Sequence, residues 1–362
     1  MVQVRDSVGR ILQGNPVGHA VHRLRQVVRA RHRRSVQVSE ALTAIERLGP
    51  HLAPGPWVAV FRKAYGSKGE KLRYLAHESV DPRSLAAHSL RIGDPFAFRK
   101  ASVTTVRTGV APTFSTPVQG DVLLLRAKGT TALVLDLHRR KVLRLSDRGF
   151  PEEYRRVRDA FSRRVSSVPY EMYSGADGIV EPLLDGPSLR QVPVETAANR
   201  VCELLDQLPR LLAEATGDSS TQFLVSAIEA SDPTSELARE RDAILAWLGP
   251  SPLVPAHGDL HLFNVLDVGG GPVCIDFGLT SFQPAWRDVL KIANQFFLFF
   301  ELPGCGPHVA DVERALESAL KATTASPLPS DWRRLSVLVA RRTFGRRSVS
   351  EELLTKPSSW AS

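Results

Sequence analysis

A chain of 362 residues with 43% hydrophobic and 23% charged residues has the balance of an ordinary globular protein of about two domains, with room for a sizeable core. Its formal net charge of +9 is concentrated in residues 1–36, where Arg5, Arg10, Arg23, Arg25, Arg29, Arg31, Arg33 and Arg34 face the single acid Asp6. The rest is nearly neutral, which argues against a broad nucleic-acid-binding face and leaves a basic arm suited to an acidic partner. Cys202, Cys274 and Cys305 stand too far apart for a disulfide framework or a zinc cluster, and residues 1–13 lack the apolar core of a signal peptide.

Residues 1–49 read as polar helix, with Val21, Leu24 and Val28 at helical spacing and a second helix from Ser39 to Gly49-Pro50. Trp57–Phe61 and Leu72–Leu75 flank the glycine-rich turn 66–70, a β-hairpin pattern. Residues 1–115 carry no catalytic motif and are expected to form an N-terminal extension, closed by a Pro/Thr-rich linker at 110–118. Val122–Leu125, Ala132–Leu135 and Val142–Leu145 then predict an antiparallel meander. A helix follows over 151–165, and two more strands near Tyr170–Tyr173 and Ile179–Leu184. Beyond Pro187 the chain is mainly helical, interrupted at Leu253–Gly278 by two apolar runs around Gly269-Gly270-Gly271-Pro272. The run Phe296–Phe300 is far short of the roughly 20 residues that cross a bilayer, so a buried helix face and a cytoplasmic protein are expected.

The strongest signal is His257-Gly258-Asp259, with Asn264 five residues after the aspartate and Asp276, in Ile275-Asp276-Phe277-Gly278, twelve residues further on. A carboxylate placed to take a hydroxyl proton, together with two hard oxygen donors suited to Mg²⁺, is what phosphoryl transfer from ATP requires. Asp259 suits the first role, Asn264 and Asp276 the second. The hairpin between them is expected to bring Asn264 and Asp276 together.

These loops resemble those of the aminoglycoside phosphotransferase and choline kinase branch of the protein-kinase-like superfamily, over about residues 118–350. The resemblance implies an α+β, bilobal protein-kinase-like fold: a small antiparallel lobe over 116–186 and a helical lobe over 187–362, behind the extension 1–115. It makes His257 a structural brace of the loop; His261 itself reads as a loop filler in preference to a substrate contact. Asp288 becomes a candidate to brace the catalytic loop. The resemblance also implies a strand cation for the nucleotide phosphates. Strand alternation puts Val142 and Arg144 on one face, as adenine ceiling and phosphate cation, and Lys141 on the other. Glu152 and Glu153 are both placed to pair with that cation; Glu153 is preferred. Gly129, in Ala127–Thr131, would offer backbone N–H groups to the phosphates. Leu183, after the donorless Pro182, would contact adenine.

The expected activity is therefore transfer of a phosphoryl group from ATP, with Mg²⁺, to a hydroxyl of a small molecule: a sugar, nucleoside, amino alcohol or antibiotic. The alternative is a regulatory protein kinase or a pseudokinase acting as a binding module. Nothing after Gly278 resembles an activation segment. Arg333, Arg334, Arg341, Arg342, Arg346 and Arg347 favour a neutral or anionic acceptor over a polycation.

Overall fold

The computed structural model describes residues 27–29, 32–40, 57–63, 70–77, 104–108, 122–126, 131–146, 149–173, 178–229, 235–300 and 306–344. The basic arm lies outside them apart from 27–29 and 32–36, which are helical; so do the linker at 110–118 and Gly129.

Strand pairing follows the apolar runs. The meander forms from β4 (Val122–Arg126), β5 (Thr131–Asp136) and β6 (Lys141–Ser146). Val134 and Leu143 are fully buried, while Leu133 and Leu135, on the opposite face of β5, are 4% exposed. A strand covered on both faces reads as a continuous apolar run. The turn between β5 and β6 is tight: Asp136 Oδ1 accepts from Arg139 N at 2.7 Å, and Arg140 takes a left-handed φ of 56°. Next in the sheet is β8 (Gly178–Pro182), then β7 (Glu171–Tyr173) at its edge.

The hairpin expected at 57–75 is present as β1 (Trp57–Lys63) and β2 (Glu70–His77), paired antiparallel with a register shift between Val60 and Phe61. It does not stay in a separate extension. With β3 (Thr104–Thr108) it joins the meander, in the order β3-β1-β2-β4-β5-β6-β8-β7. The expected sheet of five strands therefore has eight. The join is Leu75 opposite Leu123 and Ala76 opposite Val122; it covers an edge of β4 that would otherwise offer unpaired backbone.

The chain divides into two compact units: residues 1–149 with 171–183, and 150–170 with 184–362. Helix α1 (Glu152–Ser162) belongs to the second, although it precedes two strands of the first. It starts directly after Pro151 and buries Tyr154, Val157, Arg158, Ala160 and Phe161 along one face. The second unit continues with α2 (Val194–Gln207), α3 (Thr221–Glu229), α4 (Glu236–Arg239) and α5 (Arg241–Leu248). Then come β9 (Leu253–Ala256), β10 (Val265–Asp267), β11 (Pro272–Cys274) and β12 (Ser281–Pro284). Helices α6 (Ala285–Phe300), α7 (Gly306–Thr323) and α8 (Trp332–Phe344) close it. Trp286 and Phe296, both fully buried, anchor α6 in the core of that unit. No helix among the described residues is long and apolar enough to cross a membrane.

Candidate active site

The segment 257–264 runs between β9 and β10, and the first turns of α6 hold its start. Asp288 Oδ2 accepts from the backbone N of His257 at 2.7 Å and of Gly258 at 3.4 Å. Arg287 Nη1 and Lys291 Nζ donate to the Gly258 carbonyl at 3.3 and 3.4 Å. Gly258 has φ +78°, and a Cβ there would run into the Leu279 carbonyl oxygen, so the chain can pass only as glycine. His257 is fully buried, and its Nε2 lies 2.8 Å from the Ile275 carbonyl. Asp259 N donates to its Nδ1 at 3.3 Å, which assigns the ring proton to Nε2. Burial pushes the imidazole below the usual histidine range, against the pull of Asp288 and the Ile275 carbonyl. A neutral ring that ties the Asp259 segment to the Asp276 segment is a brace, as the sequence suggested.

Asp259 turns its carboxylate towards a lysine and a histidine. Lys291 Nζ lies 2.6 Å from Oδ1, and His261 Nε2 lies 3.6 Å from Oδ2. Burial alone would raise this carboxyl; His261 and Lys291 outweigh it and hold the group at about 2. Asp259 is therefore a carboxylate throughout the neutral range. His261, read from sequence as filler, is a neighbour of that carboxylate.

The hairpin β10–β11 does what its spacing promised. Val265 pairs with Cys274, and beyond that pair Ile275 N donates to the Asn264 carbonyl at 2.9 Å, so Asn264 and Asp276 leave one end of the ladder as neighbours. Asn264 Nδ2 donates to the Asp259 carbonyl at 2.9 Å, which leaves Oδ1 as its acceptor atom for other partners. Asp276 is 6% exposed and has φ 72°, a left-handed conformation uncommon outside glycine. Phe277 behind it is fully buried, 4.4 Å from the His257 ring and edge-on to Phe161 of α1.

In the sheet unit, Arg144 sits opposite Ile179 and Val142 opposite Glu181, on one face, while exposed Lys141 is on the other beside Pro182. The Arg144 guanidinium meets Glu181, Nη2 to Oε2 3.4 Å, with both side chains almost fully buried. Glu181, a partner the sequence reading did not name, stands diagonally across the ladder from Arg144; Glu153 is exposed in the first turn of α1. Leu183 is held by Arg140. Its N–H donates to the Arg140 carbonyl at 2.7 Å and its carbonyl accepts from Arg140 Nη2 at 3.1 Å, because β8 continues its pairing past Pro182. The N–H expected to meet adenine is thus already engaged.

Compared with known proteins, residues 126–336 match the model of the phosphotransferase enzyme family, more than half of the chain. The chain belongs to this family. The match begins at the end of β4 and ends within α8, so it takes in both loops that carry the motifs. The fold is accordingly the protein-kinase-like α+β fold, with an antiparallel sheet followed by a helical region. No curated protein sequence matches the chain. Among solved structures it is similar to an aminoglycoside phosphotransferase from Streptomyces rimosus, at 12% identity over 61% of this chain and 92% of that one, with a TM-score of 0.38. It is similar to a glucosamine kinase in complex with glucosamine, ADP and inorganic phosphate, at 17% identity over 62% and 70%, TM-score 0.36. A choline/ethanolamine kinase family protein from Mesorhizobium loti gives 12% identity over 64% and 86%, TM-score 0.34. These scores are low, and membership rests on the family match.

Two residues of this phosphotransferase escaped the sequence reading. Arg158 is fully buried on α1, with its guanidinium over the rings of Tyr170 and Phe277, at 4.1 and 4.7 Å. Its Nη2 donates to the Val168 carbonyl at 3.2 Å. Its spacing of four from Tyr154, whose hydroxyl it meets, is the only signal in the sequence. Lys291 likewise reads as an ordinary charge on an amphipathic helix, and only its place one turn after Arg287 and three residues after Asp288 sets it on the face holding Gly258.

Proposed function

We propose that this chain is an ATP- and Mg²⁺-dependent O-phosphotransferase acting on a hydroxyl of a small molecule, of the sugar, nucleoside, amino alcohol or antibiotic class. The observation that carries the reading is the juxtaposition in one loop system of an ionised Asp259 with Asn264 and Asp276 at the end of one hairpin. The acceptor hydroxyl gives its proton to Asp259, and its oxygen forms the new bond to the γ-phosphorus. The bond from that phosphorus to the leaving oxygen breaks with its electron pair on ADP.

Asn264 Oδ1 and the Asp276 carboxylate fit Mg²⁺, which takes hard oxygen donors and usually needs only one or two carboxylates beside the phosphates. When bound there, the ion supplies neutralisation of charge on the phosphate oxygens. Arg144 is the proposed phosphate cation, Val142 the apolar contact for adenine and Gly129 a backbone donor to phosphate; Glu181, which meets Arg144 in the sheet, joins Glu153 as a carboxylate proposed to orient it. A neutral or anionic acceptor suits the surroundings of the catalytic loop, where Arg190 stacks on Phe263 and Phe299 at 4.6 and 4.0 Å. ATP as donor places the activity in the cytoplasm, and the basic arm remains a candidate for an acidic partner.

The test is ADP release from ATP and Mg²⁺ against a panel of hydroxylated metabolites and antibiotics, run on the wild type, Asp259→Asn and Asp276→Ala. Asp259→Asn is expected to lose about 10²–10⁴-fold in turnover while binding ATP·Mg²⁺ nearly as before. Asp276→Ala is expected to lose Mg²⁺-dependent nucleotide binding by calorimetry. Near-normal turnover in the first variant, or unchanged affinity in the second, would reject the assigned roles.

A further inference from the structure

Lys291 has no place in the motif that identifies the site, yet it makes the shortest polar contact to the Asp259 carboxylate, Nζ to Oδ1 at 2.6 Å. The lysine side chain is 12% exposed and the aspartate 37%, so the pair is half-buried. Geometry explains why the contact is fixed. Arg287 and Lys291 are one turn apart on α6, and both donate to the Gly258 carbonyl. Asp288, on the same turn as Arg287, takes the N–H groups of His257 and Gly258. The helix thus grips both sides of the backbone just before Asp259, and Lys291 also reaches the carboxylate.

A carboxylate free to turn about its Cβ–Cγ bond presents either oxygen, in any plane. With Oδ1 tied to Lys291, the plane is set and Oδ2 is the oxygen left towards His261. Transfer needs the acceptor oxygen in line with the phosphorus and the leaving oxygen, with the base within hydrogen-bond reach of the acceptor proton, and a small misplacement of the base costs about 10²-fold. We infer that Lys291 is a positioning residue for phosphoryl transfer: it fixes Asp259 through Oδ1 so that Oδ2 receives the proton of the acceptor hydroxyl. This rests on Asp259 being the base.

The experiment is a double-mutant cycle on ADP release in the presence of Mg²⁺ and a turned-over acceptor, with Lys291→Met, Lys291→Gln and Lys291→Arg made in the wild type and in Asp259→Asn. Lys291→Met and Lys291→Gln are expected to lower kcat about 10²-fold and to leave KM for ATP within about twofold. Lys291→Arg, which can still reach Oδ1, is expected to recover part of that loss. In Asp259→Asn, Lys291→Met is expected to cost nothing further, because the group it positions is gone. A kcat equal to wild type in Lys291→Gln overturns the inference. So does the same fold-loss in both backgrounds, or a loss confined to KM for ATP. Thermal unfolding checks each variant, and Lys291→Gln, a polar side chain that ends one bond short of Nζ and carries no charge, decides if Lys291→Met does not fold. A wild type that releases no ADP with any acceptor overturns the function proposed for the site and this inference with it. An active wild type with an indifferent Lys291 overturns the inference alone.

Discussion

Arg144 is 5% exposed and Glu181 is 3% exposed, so the pair that orients the proposed phosphate cation is also part of the sheet's interior. Removing one partner of a buried ion pair leaves an uncompensated charge, at a cost of about 3–5 kcal/mol. Arg144→Ala is therefore expected to lose stability as well as ATP-dependent turnover. Arg144→Lys should retain part of both, since it keeps the charge but not the planar fork. Lys141 is exposed on the opposite face of β6, and Lys141→Ala is expected to stay within about 0.5 kcal/mol of wild type with near-normal kinetics. Urea unfolding and steady-state kinetics with varied ATP, run side by side, check this. A severe kinetic loss in Lys141→Ala beside a mild one in Arg144→Ala would mean that the other face of the strand meets the nucleotide.

At the scale of elements, the catalytic segment is set by how closely it passes the chain after Asp276. Gly258 and Gly269 both have positive φ, +78° and +83°, but a Cβ at Gly258 meets the Leu279 carbonyl, whereas one at Gly269 meets nothing within 4 Å. Both alanine variants bear the strain of a left-handed alanine, of order 1 kcal/mol. Only Gly258→Ala must also push two backbone segments apart. Gly258→Ala is thus expected to unfold at clearly lower denaturant than Gly269→Ala and to lose most turnover. Equal midpoints for the two would show that the close approach is not constraining.

For the whole molecule, the eight-stranded sheet changes what a truncation should do. Residues 1–49 include Gln37, whose Oε1 accepts from Leu72 N at 2.6 Å, and no described strand. Their removal is expected to leave a folded, active protein. Starting the chain at 116 also removes β1, β2 and β3 and bares the edge of β4 where Leu75 and Ala76, 2% and 1% exposed, now sit. An apolar strand edge left open invites pairing with other chains. The shorter protein is expected to aggregate, which size-exclusion chromatography and light scattering would show. A monodisperse, active 116–362 would mean that the first three strands are dispensable.

The sequence by itself determined the family and pointed to the candidate catalytic segments, because the chemistry proposed there is local. His257-Gly258-Asp259, Asn264 and Asp276 lie within twenty residues, and the glycine-centred hairpin between the last two admits few alternatives. The meander was legible for the same reason, since neighbouring apolar runs joined by short turns pair with each other. Only the tertiary structure decided what depends on residues distant in the chain. That Arg144 meets Glu181 follows from the pairing of β6 with β8 across 37 positions. That β1–β3 extend the same sheet depends on two residue pairs bridging β2 and β4. That Lys291 reaches Asp259 across 32 positions depends on how the start of α6 packs on the loop. Strand alternation assigns a side chain to a face and helix periodicity assigns it to a stripe. Which residue lies across from that face or stripe is settled by packing.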